Sequence, residues 1–534
     1  GAGGDVRITA ANLEVANGAQ LIAATFGRGD AGNVIIEVTE TASFDGFNSL
    51  TGAPSAAFSG IGLNGAGTGG NVRITAANLE VVNGGQLIAA IFGQGDAGDV
   101  TIEVTETASF DGFNSLNDRT PSGAFSSIQP DGAGTGGDVR ITAANLEVAN
   151  GAQLNTATFG RGDAGDVIIE VTETASFDGF NSSNVAPSGA LSSIQPGGEG
   201  DGGDVHITAA NLEVTNGARL SASTFGWGDA GDVIIEVTET ASFDGFNSLN
   251  GDASGARSSV APDGEGDGGD VRITAANLEV ANGAQLGGNS TGFGNAGNVI
   301  LHIRERLLAN DGTIATNATF ASGGEIIINA GDICLEGDSD IQTFVNVGEG
   351  SGGDIVITAD SVIAFDDSDI LAFAQDGRGG DITLNTSAFF GENFHPNATV
   401  TDPEELDGND RVDLNASGAV SGVISLPDVT FIENDLVELP ERAVNPDVLV
   451  ASSCVVRSQA QTGRFIITGS DSLPERPGEV TILPYSTGTI RPLPSEQSSD
   501  AGEALPWRRG EPIVESQGVY PLTDGRLVLS RECS

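Results

Sequence analysis

The feature that most limits what this chain can become is the stretch Gly4-Asp5-Val6-Arg7-Ile8-Thr9-Ala10-Ala11-Asn12-Leu13-Glu14-Val15, which returns almost unchanged along the sequence. Its Val6 position recurs at Val72, Val139, Val205 and Val271, in steps of 66 or 67 residues. A period above the usual range of about 20 to 50 residues points to a compound unit. Inside it lies a shorter one, because Gly32-Asn33-Val34-Ile35-Ile36 repeats the same opening. Merging the two series puts an Asp, Asn or Glu at 5, 33, 71, 99, 138, 166, 204, 232, 270, 298, 325, 354 and 381. The unit is therefore a turn of about 28 residues, and every second turn in the regular part carries about ten more.

Within each turn the side chains alternate. Val6 and Ile8 alternate with Arg7 and Thr9, as Val34 and Ile36 do with Ile35 and Glu37, which is the period-2 pattern of a strand with one buried face. Three such runs fill a turn: Val6 to Ala10, Leu13 to Val15 and Leu21 to Phe26. Between them stand Asn17-Gly18 and Gly27-Arg28-Gly29-Asp30-Ala31-Gly32, residue types that accept the positive φ of tight corners. One turn cannot bury its own apolar row, but turns stacked about 4.8 Å apart pair their backbones and share a continuous interior. The expected fold is all-β: a parallel β-helix of about 13 turns, on the order of 60 Å long, with Val, Ile, Leu, Ala and Phe inside.

Charge narrows the partners. The chain carries 74 acidic against 22 basic residues, a formal net charge of -52, and it contains no lysine. Such a surface repels nucleic acid and anionic lipid, so neither is expected as a partner. There is no run of 18 apolar residues that would read as a membrane-spanning helix. Acid on the outer faces keeps β structure from aggregating side by side. Acidic turns could also hold calcium, and Asp263, Glu265, Asp267 and Asp270 supply oxygen ligands on flexible backbone. That set matches neither the helix-loop-helix ligand pattern nor a nine-residue calcium repeat.

The copies differ mainly after Phe44-Asp45-Gly46-Phe47-Asn48-Ser49 and its equivalents. The inserted residues recur every second turn, so they should form one column of loops on one side of the rod. Leu50, Thr51, Asn117, Asp118, Arg119, Asn184, Asn250 and Asp252 are the candidate binding residues of that column, since solenoids often bind through such a face. Outward Arg7, Arg73, Arg140 and Arg272, with His206 in the fourth copy, should pair diagonally with Glu37, Glu103, Glu170 and Glu236 of neighbouring turns. Turns from 298 to 389 keep the spacing but lose the identity. The solenoid domain is therefore placed at 1–389, a capping region with short strands at 390–469, and a Pro-rich linker and irregular β tail at 470–534. A strand around Val420 to Leu426 is expected to cover the last turn.

The pattern also bears on catalysis. Parallel β-helices host polysaccharide lyases and hydrolases. A hydrolase needs two carboxylates about 5 to 10 Å apart in a cleft. The best irregular group is Asp366, Asp367 and Asp369, with Asp338 and Asp340 one turn earlier. Because acids lie near acids throughout, proximity alone says little, and the expectation is a rod with no catalytic site. The three histidines, His206, His302 and His395, form no metal or triad set. Arg28-Gly29-Asp30 and Arg161-Gly162-Asp163 spell a receptor tripeptide, but Gln94-Gly95-Asp96 and Trp227-Gly228-Asp229 replace it elsewhere, so the corner requires Gly-Asp. Cys334, in an apolar run, is expected to be a buried small side chain. Cys454 and Cys533 could form a bridge that ties down the poorly cored end, with free thiols as the alternative.

The Gly-Gly-Asp-Val-x-Ile-x-Ala repeats are followed by Arg411-Val412-Asp413-Leu414-Asn415, Gly422-Val423-Ile424-Ser425-Leu426-Pro427, Gly463-Arg464-Phe465-Ile466-Ile467-Thr468-Gly469 and Ile513-Val514-Glu515-Ser516-Gln517-Gly518. Together these resemble filamentous haemagglutinin-like large exoproteins of cyanobacterial type. The resemblance covers nearly the whole chain, and its tail motifs are the more specific part. It implies two-partner secretion through an outer-membrane transporter, folding into a right-handed β-helix outside, and a structural or adhesin role at the outer cell surface or beyond. The loop column and acidic faces would meet a glycan, a mineral ion or another cell, and no cofactor is expected beyond the calcium that the acidic turns could hold. The chain contains no methionine and opens inside a repeat, so it reads as the C-terminal portion of a longer precursor. The alternative is a carbohydrate-active β-helix enzyme, a polysaccharide hydrolase using a carboxylate pair near Asp366.

Overall fold

The computed structural model describes residues 1–116, 120–348, 350–396, 406 and 408–427, and the backbone of 518–521 and 527–530. The first two turns define the architecture. Strands β1 (Val6–Ala10), β2 (Leu13–Ala16) and β3 (Gln20–Thr25) make one turn, and β4 (Val34–Val38), β5 (Thr41–Asp45) and β6 (Ala56–Ile61) make the next. Strand β1 pairs in parallel with β4, β2 with β5, and β3 with β6, as a coil requires when each turn lies on the last. First and second strands of every turn belong to one sheet, here sheet A, and third strands to another, sheet B. This is a parallel β-helix.

The register runs in single files. Val6 faces Val34, Val34 faces Val72 and Val72 faces Val100, and all but the terminal Val6 are fully buried. Thirteen rungs of this file run from Val6 to Ile382, and the short strand Ile424–Ser425 pairs with Ile382 and Thr383 as one more. Asp413–Asn415 and Gly418–Val420 likewise add to Ile370–Arg378 of sheet B. The coil therefore extends past residue 389. Thr430–Ser534 forms a separate unit, in which Gly518–Pro521 pairs antiparallel with Leu527–Ser530.

Large and small side chains alternate in the interior. Phe44 is stacked between Val15 and Val81, Phe110 between Val81 and Val148, and Phe177 between Val148 and Val214. Each of these rings is fully buried. A ring on one rung and a valine on the next share a column that two stacked rings would overcrowd. Interior serines brace the opposite wall: Ser126 Oγ donates to the Gly98 carbonyl at 2.9 Å and accepts the Gly137 N–H at 3.1 Å. The Asn-Gly corners are left-handed as expected, with φ of 57° at Asn17 and 80° at Gly18.

The repeating Asp or Asn has a purpose that the sequence did not disclose. The Asn33 N–H donates to Asp5 Oδ1 at 2.8 Å, Asn71 to Asn33 at 2.9 Å, Asp99 to Asn71 at 2.8 Å, and Asp138 to Asp99 at 2.9 Å. The ladder continues through Asp166, Asp204, Asp232, Asp270, Asn298 and Glu325. Each side chain caps the amide of the next turn at the bend, where the strand ladder begins. The cost is like charge in a file: burial pushes the Asp166 carboxyl above its ordinary range, Asp138 and Asp204 push the same way, and the Asp204 N–H and Arg140 oppose them.

That file also corrects the expected ion pairs. Arg7 reaches Glu37 at 3.6 Å and Arg73 reaches Glu103 at 2.8 Å, as the diagonal rule requires. Arg140 instead takes Asp138, and Arg272 takes Asp232 and Asp270. Around Arg73 the neighbouring ladder residue is the neutral Asn71, whereas Arg140 and Arg272 sit where consecutive aspartates concentrate negative charge. Cys334 also departs from expectation. Its neighbours Ile333 and Leu335 point into the core, so Cys334 points outward, half-buried, with its Sγ donating to Glu336 Oε1 at 3.0 Å. Burial and Glu336 raise its thiol pKa.

Candidate functional site

The inserted loops are small hairpins. Phe47 bridges Pro54 antiparallel, and the later copies repeat this at Phe113–Pro121, Phe180–Pro187 and Phe246–Ala253. Asn48 shapes the first by accepting the N–H groups of Leu50 at 2.9 Å and Thr51 at 3.1 Å. The hairpins are stacked as a column: Asn114 Nδ2 donates to the Gly52 carbonyl at 2.9 Å and Asn247 Nδ2 to the Val185 carbonyl at 3.4 Å. Gln20, Gln86 and Gln153 of sheet B donate to the hairpin carbonyls of Pro54, Pro121 and Pro187 at 3.1 to 3.3 Å. The column thus flanks sheet B along one edge.

Of the candidate binding residues, Leu50, Thr51, Asn184 and Asn250 are exposed on this column, Leu50 at 91%. Asp252 is half-buried, accepting Asn250 Nδ2 at 2.8 Å and pairing with Arg219 at 2.7 Å. Asn117, Asp118 and Arg119 lie outside the described residues, as do Cys454 and Cys533.

The calcium candidates are spread out. Asp263 and Glu265 are exposed, whereas Asp267 and Asp270 stand in two different ladders and cap Asn295 and Asn298 at 2.8 and 2.9 Å. Asp270 also pairs with Arg272. Among the described residues no group of three or more His, Cys, Asp or Glu is arranged to hold a metal ion. In the receptor-like tripeptides, Asp30 and Asp163 serve a second capping ladder, toward Thr68 and Asp201.

The acids near Asp366 are committed to backbone. Asp367 accepts the N–H groups of Gly408, Asn409 and Arg411, the last at 3.0 Å, and so fastens the returning segment across the coil. Asp369 is 1% exposed, donates its N–H to Asp340 at 3.1 Å and accepts that of Asp413 at 2.7 Å. A shallow depression of about 450 Å³ lies elsewhere, on the outer face of sheet A, beside Glu147, Asp178 and Glu213. Asp178 is already engaged there by Thr215 and Asn216 at 2.6 and 2.7 Å.

The buried carboxyl of Asp369 makes stability depend on pH. Burial pushes the Asp369 carboxyl up to about 9; the Asp413 N–H works against this, and the carboxylates of Asp340, Asp413 and Asp367 add to it. The fold keeps the protonated form, so the stability this group contributes is complete below 3.8 and is lost as pH rises through about 9. The terminal rungs are expected to weaken across that window, by up to about 1.4 kcal/mol per pH unit. Asp369→Asn, which keeps the acceptor and removes the titration, should flatten the decline in hydrogen-exchange protection at Leu414 and Asn415. An unchanged slope in that variant would assign the pH dependence to another group.

Taken together, an uninterrupted coil, capped by side-chain ladders and edged by a hairpin column, defines a strongly acidic parallel β-helix built of two-turn repeats. No family model matches this chain, and no curated protein and no solved structure matches it either.

The outward face of sheet B is not legible as a site from the repeat pattern alone. Phe26, Phe92, Phe159 and Phe225 occupy it, although phenylalanine was expected inside. Their recurrence once per two-turn copy, each four positions before the recurring Asp of the corner, is the signal the chain carries.

Proposed function

We propose that the chain is the rod portion of a secreted or cell-surface structural protein of adhesin type, with no catalytic site. The carrying observation is that thirteen rungs stack in one file from Val6 to Ile382 while four hairpins recur every second turn between Phe47 and Ala253. That arrangement multiplies a weak contact along a rigid support, which is how avidity is gained without a deep pocket. The sequence resemblance to filamentous haemagglutinin-like exoproteins supports the same reading, with export through an outer-membrane transporter and an extracellular or outer-surface location. No helix in the described residues is long and apolar enough to cross a membrane.

Beads carrying the purified chain are expected to adhere to cells or glycan-coated surfaces more than beads carrying an unrelated acidic protein. Equal attachment would remove the adhesive role. Incubation with a panel of polysaccharides should yield no new reducing ends and no unsaturated sugars. Products that vanish in Asp366→Asn would replace this reading with the polysaccharide hydrolase.

A further inference from the structure

Sheet B has an inner and an outer face, and the outer one differs from the rest of the surface. In β3, Leu21 and Ala23 join the core while Gln20, Ile22 and Ala24 point out, and Phe26 continues the outward set with 74% of its surface exposed. Register stacks Ile22 on Phe58, Ile88 and Phe125. It stacks Ala24 on Gly60, Ala90 and Ser127. Columns of larger side chains therefore flank a column of small ones, and positions four residues apart leave a channel about 13 Å across running along the coil.

The second wall is periodic. Phe26, Phe92, Phe159 and Phe225 alternate with smaller or amide residues, and each amide N–H of this column bonds to the carbonyl one rung before, as in Phe92 to Ile61 and Phe159 to Ile128. Phe159 and Phe225 are 38% and 42% exposed. The rings thus stand at every second rung, about 10 Å apart. Between them Gln129 and Gln195 fold over the channel floor, their Nε2 donating to Ser127 at 2.9 Å and Ser193 at 2.8 Å.

Charge selects the occupant. From Gln20 to Thr319, the described outward positions of sheet B carry no Asp or Glu, although the chain has 74 acidic residues, and their two arginines, Arg219 and Arg257, are engaged by Asp252 and Gln285. An anionic polymer would be repelled by the field of the whole molecule. A protein interface core would call for broad contiguous apolar surface, whereas the Ile22, Phe58, Ile88 and Phe125 column gives way to Asn155 on the next rung and Gly62, Gln129 and Gln195 separate the rings of the second wall. An extended, neutral, β-linked polysaccharide has the complementary pattern: apolar ring faces that recur every second sugar, at a step close to two rungs, with hydroxyl edges for amides.

We propose that the outer face of sheet B is a docking channel for a neutral β-1,4-linked polysaccharide lying along the coil, its sugar faces stacked on Phe92, Phe159 and Phe225. This specifies the ligand of the adhesive rod and rests on that reading. The whole chain should retain cellohexaose in titration calorimetry and sediment with insoluble cellulose. Phe159→Ala with Phe225→Ala should weaken cellohexaose binding about tenfold or more, since each ring contributes an aromatic contact, while the circular dichroism and melting profile stay unchanged. Glu80→Gln on the outer face of sheet A should leave binding intact. Failure of the parent chain to bind cellohexaose or chitohexaose, or equal binding by the double variant, overturns the channel. If beads still adhere to cells in that case, only the channel falls, and loss of adhesion as well removes the parent reading. Self-association in sedimentation velocity that the double variant abolishes would assign the face to a second copy and overturn the proposal.

Discussion

Alanine at Gly165 is expected to destabilise the coil locally by on the order of 3 to 5 kcal/mol, among the largest effects a single methyl group can have here. A Cβ at this position would lie 2.0 Å from the Gly137 carbonyl oxygen and 2.4 Å from its carbon. Both contacts are backbone, and the neighbouring rungs offer no slack, because Cβ atoms at Gly137 and Gly203 would meet the Gly98 and Gly165 oxygens at 2.2 and 2.1 Å. The Gly165 carbonyl also accepts Thr156 Oγ1 at 2.6 Å and Ser192 Oγ at 2.9 Å, so displacing it unties both braces. Glycine in this file is required by the closeness of two backbones. Where space is open, Gly→Ala stabilises by about 0.4 to 1 kcal/mol, so the sign is diagnostic. Gly27, with nothing within 4 Å of its added Cβ, is the control. Hydrogen exchange should show the strands Val139–Ala143 and Val167–Val171 losing protection in Gly165→Ala and keeping it in Gly27→Ala. Equal protection in the two variants would dismiss the steric account.

The second large effect is expected at Phe177. The ring is fully buried, with Val148 on one side and Val214 on the other. Truncation to alanine removes a large apolar side chain and leaves a cavity that stiff strands cannot close, at a cost of about 3 to 5 kcal/mol. A coil distributes that loss in a particular way. Each turn touches only its neighbours, so the damage belongs to the adjacent rungs and a single global unfolding energy is not the right measure. Amide protection in Asn145–Ala149 and Asn211–Thr215 is expected to drop while Val6–Ala10 and Ile355–Ala364 stay as they were. A uniform loss over all rungs would mean that the coil behaves as one cooperative block.

Much of this architecture could be read from the chain alone, and the reason is redundancy. The Val6, Val34, Val72 and Val100 file was foreseeable because the same alternation recurs at the same spacing, and a one-residue slip would turn every buried side chain outward. The Asn17-Gly18 corner was equally legible from its residue types. The hairpins could be placed on one side because they recur every second turn. Function was less legible. Asp267 and Asp270 are close in sequence, yet they belong to different ladders whose partners lie 28 and 38 residues away. Cys334 sits in an apolar run and still points outward, since period 2 sends alternate residues to opposite faces.

The sequence by itself determined the repeat, the strand alternation and the turn corners, because each is local chemistry repeated until chance is excluded. Tertiary structure decided what the polar and aromatic residues do with that scaffold. That Asp138 caps the Asp166 amide with one oxygen and pairs with Arg140 through the other depends on which oxygen faces which neighbour. Whether a phenylalanine fills the core, as Phe44 does, or lines an outer wall, as Phe26 does, depends on the direction of its strand at a corner. Those directions are fixed only when one turn is laid on another, since the groups that meet are a full turn apart along the chain and about 4.8 Å apart in space.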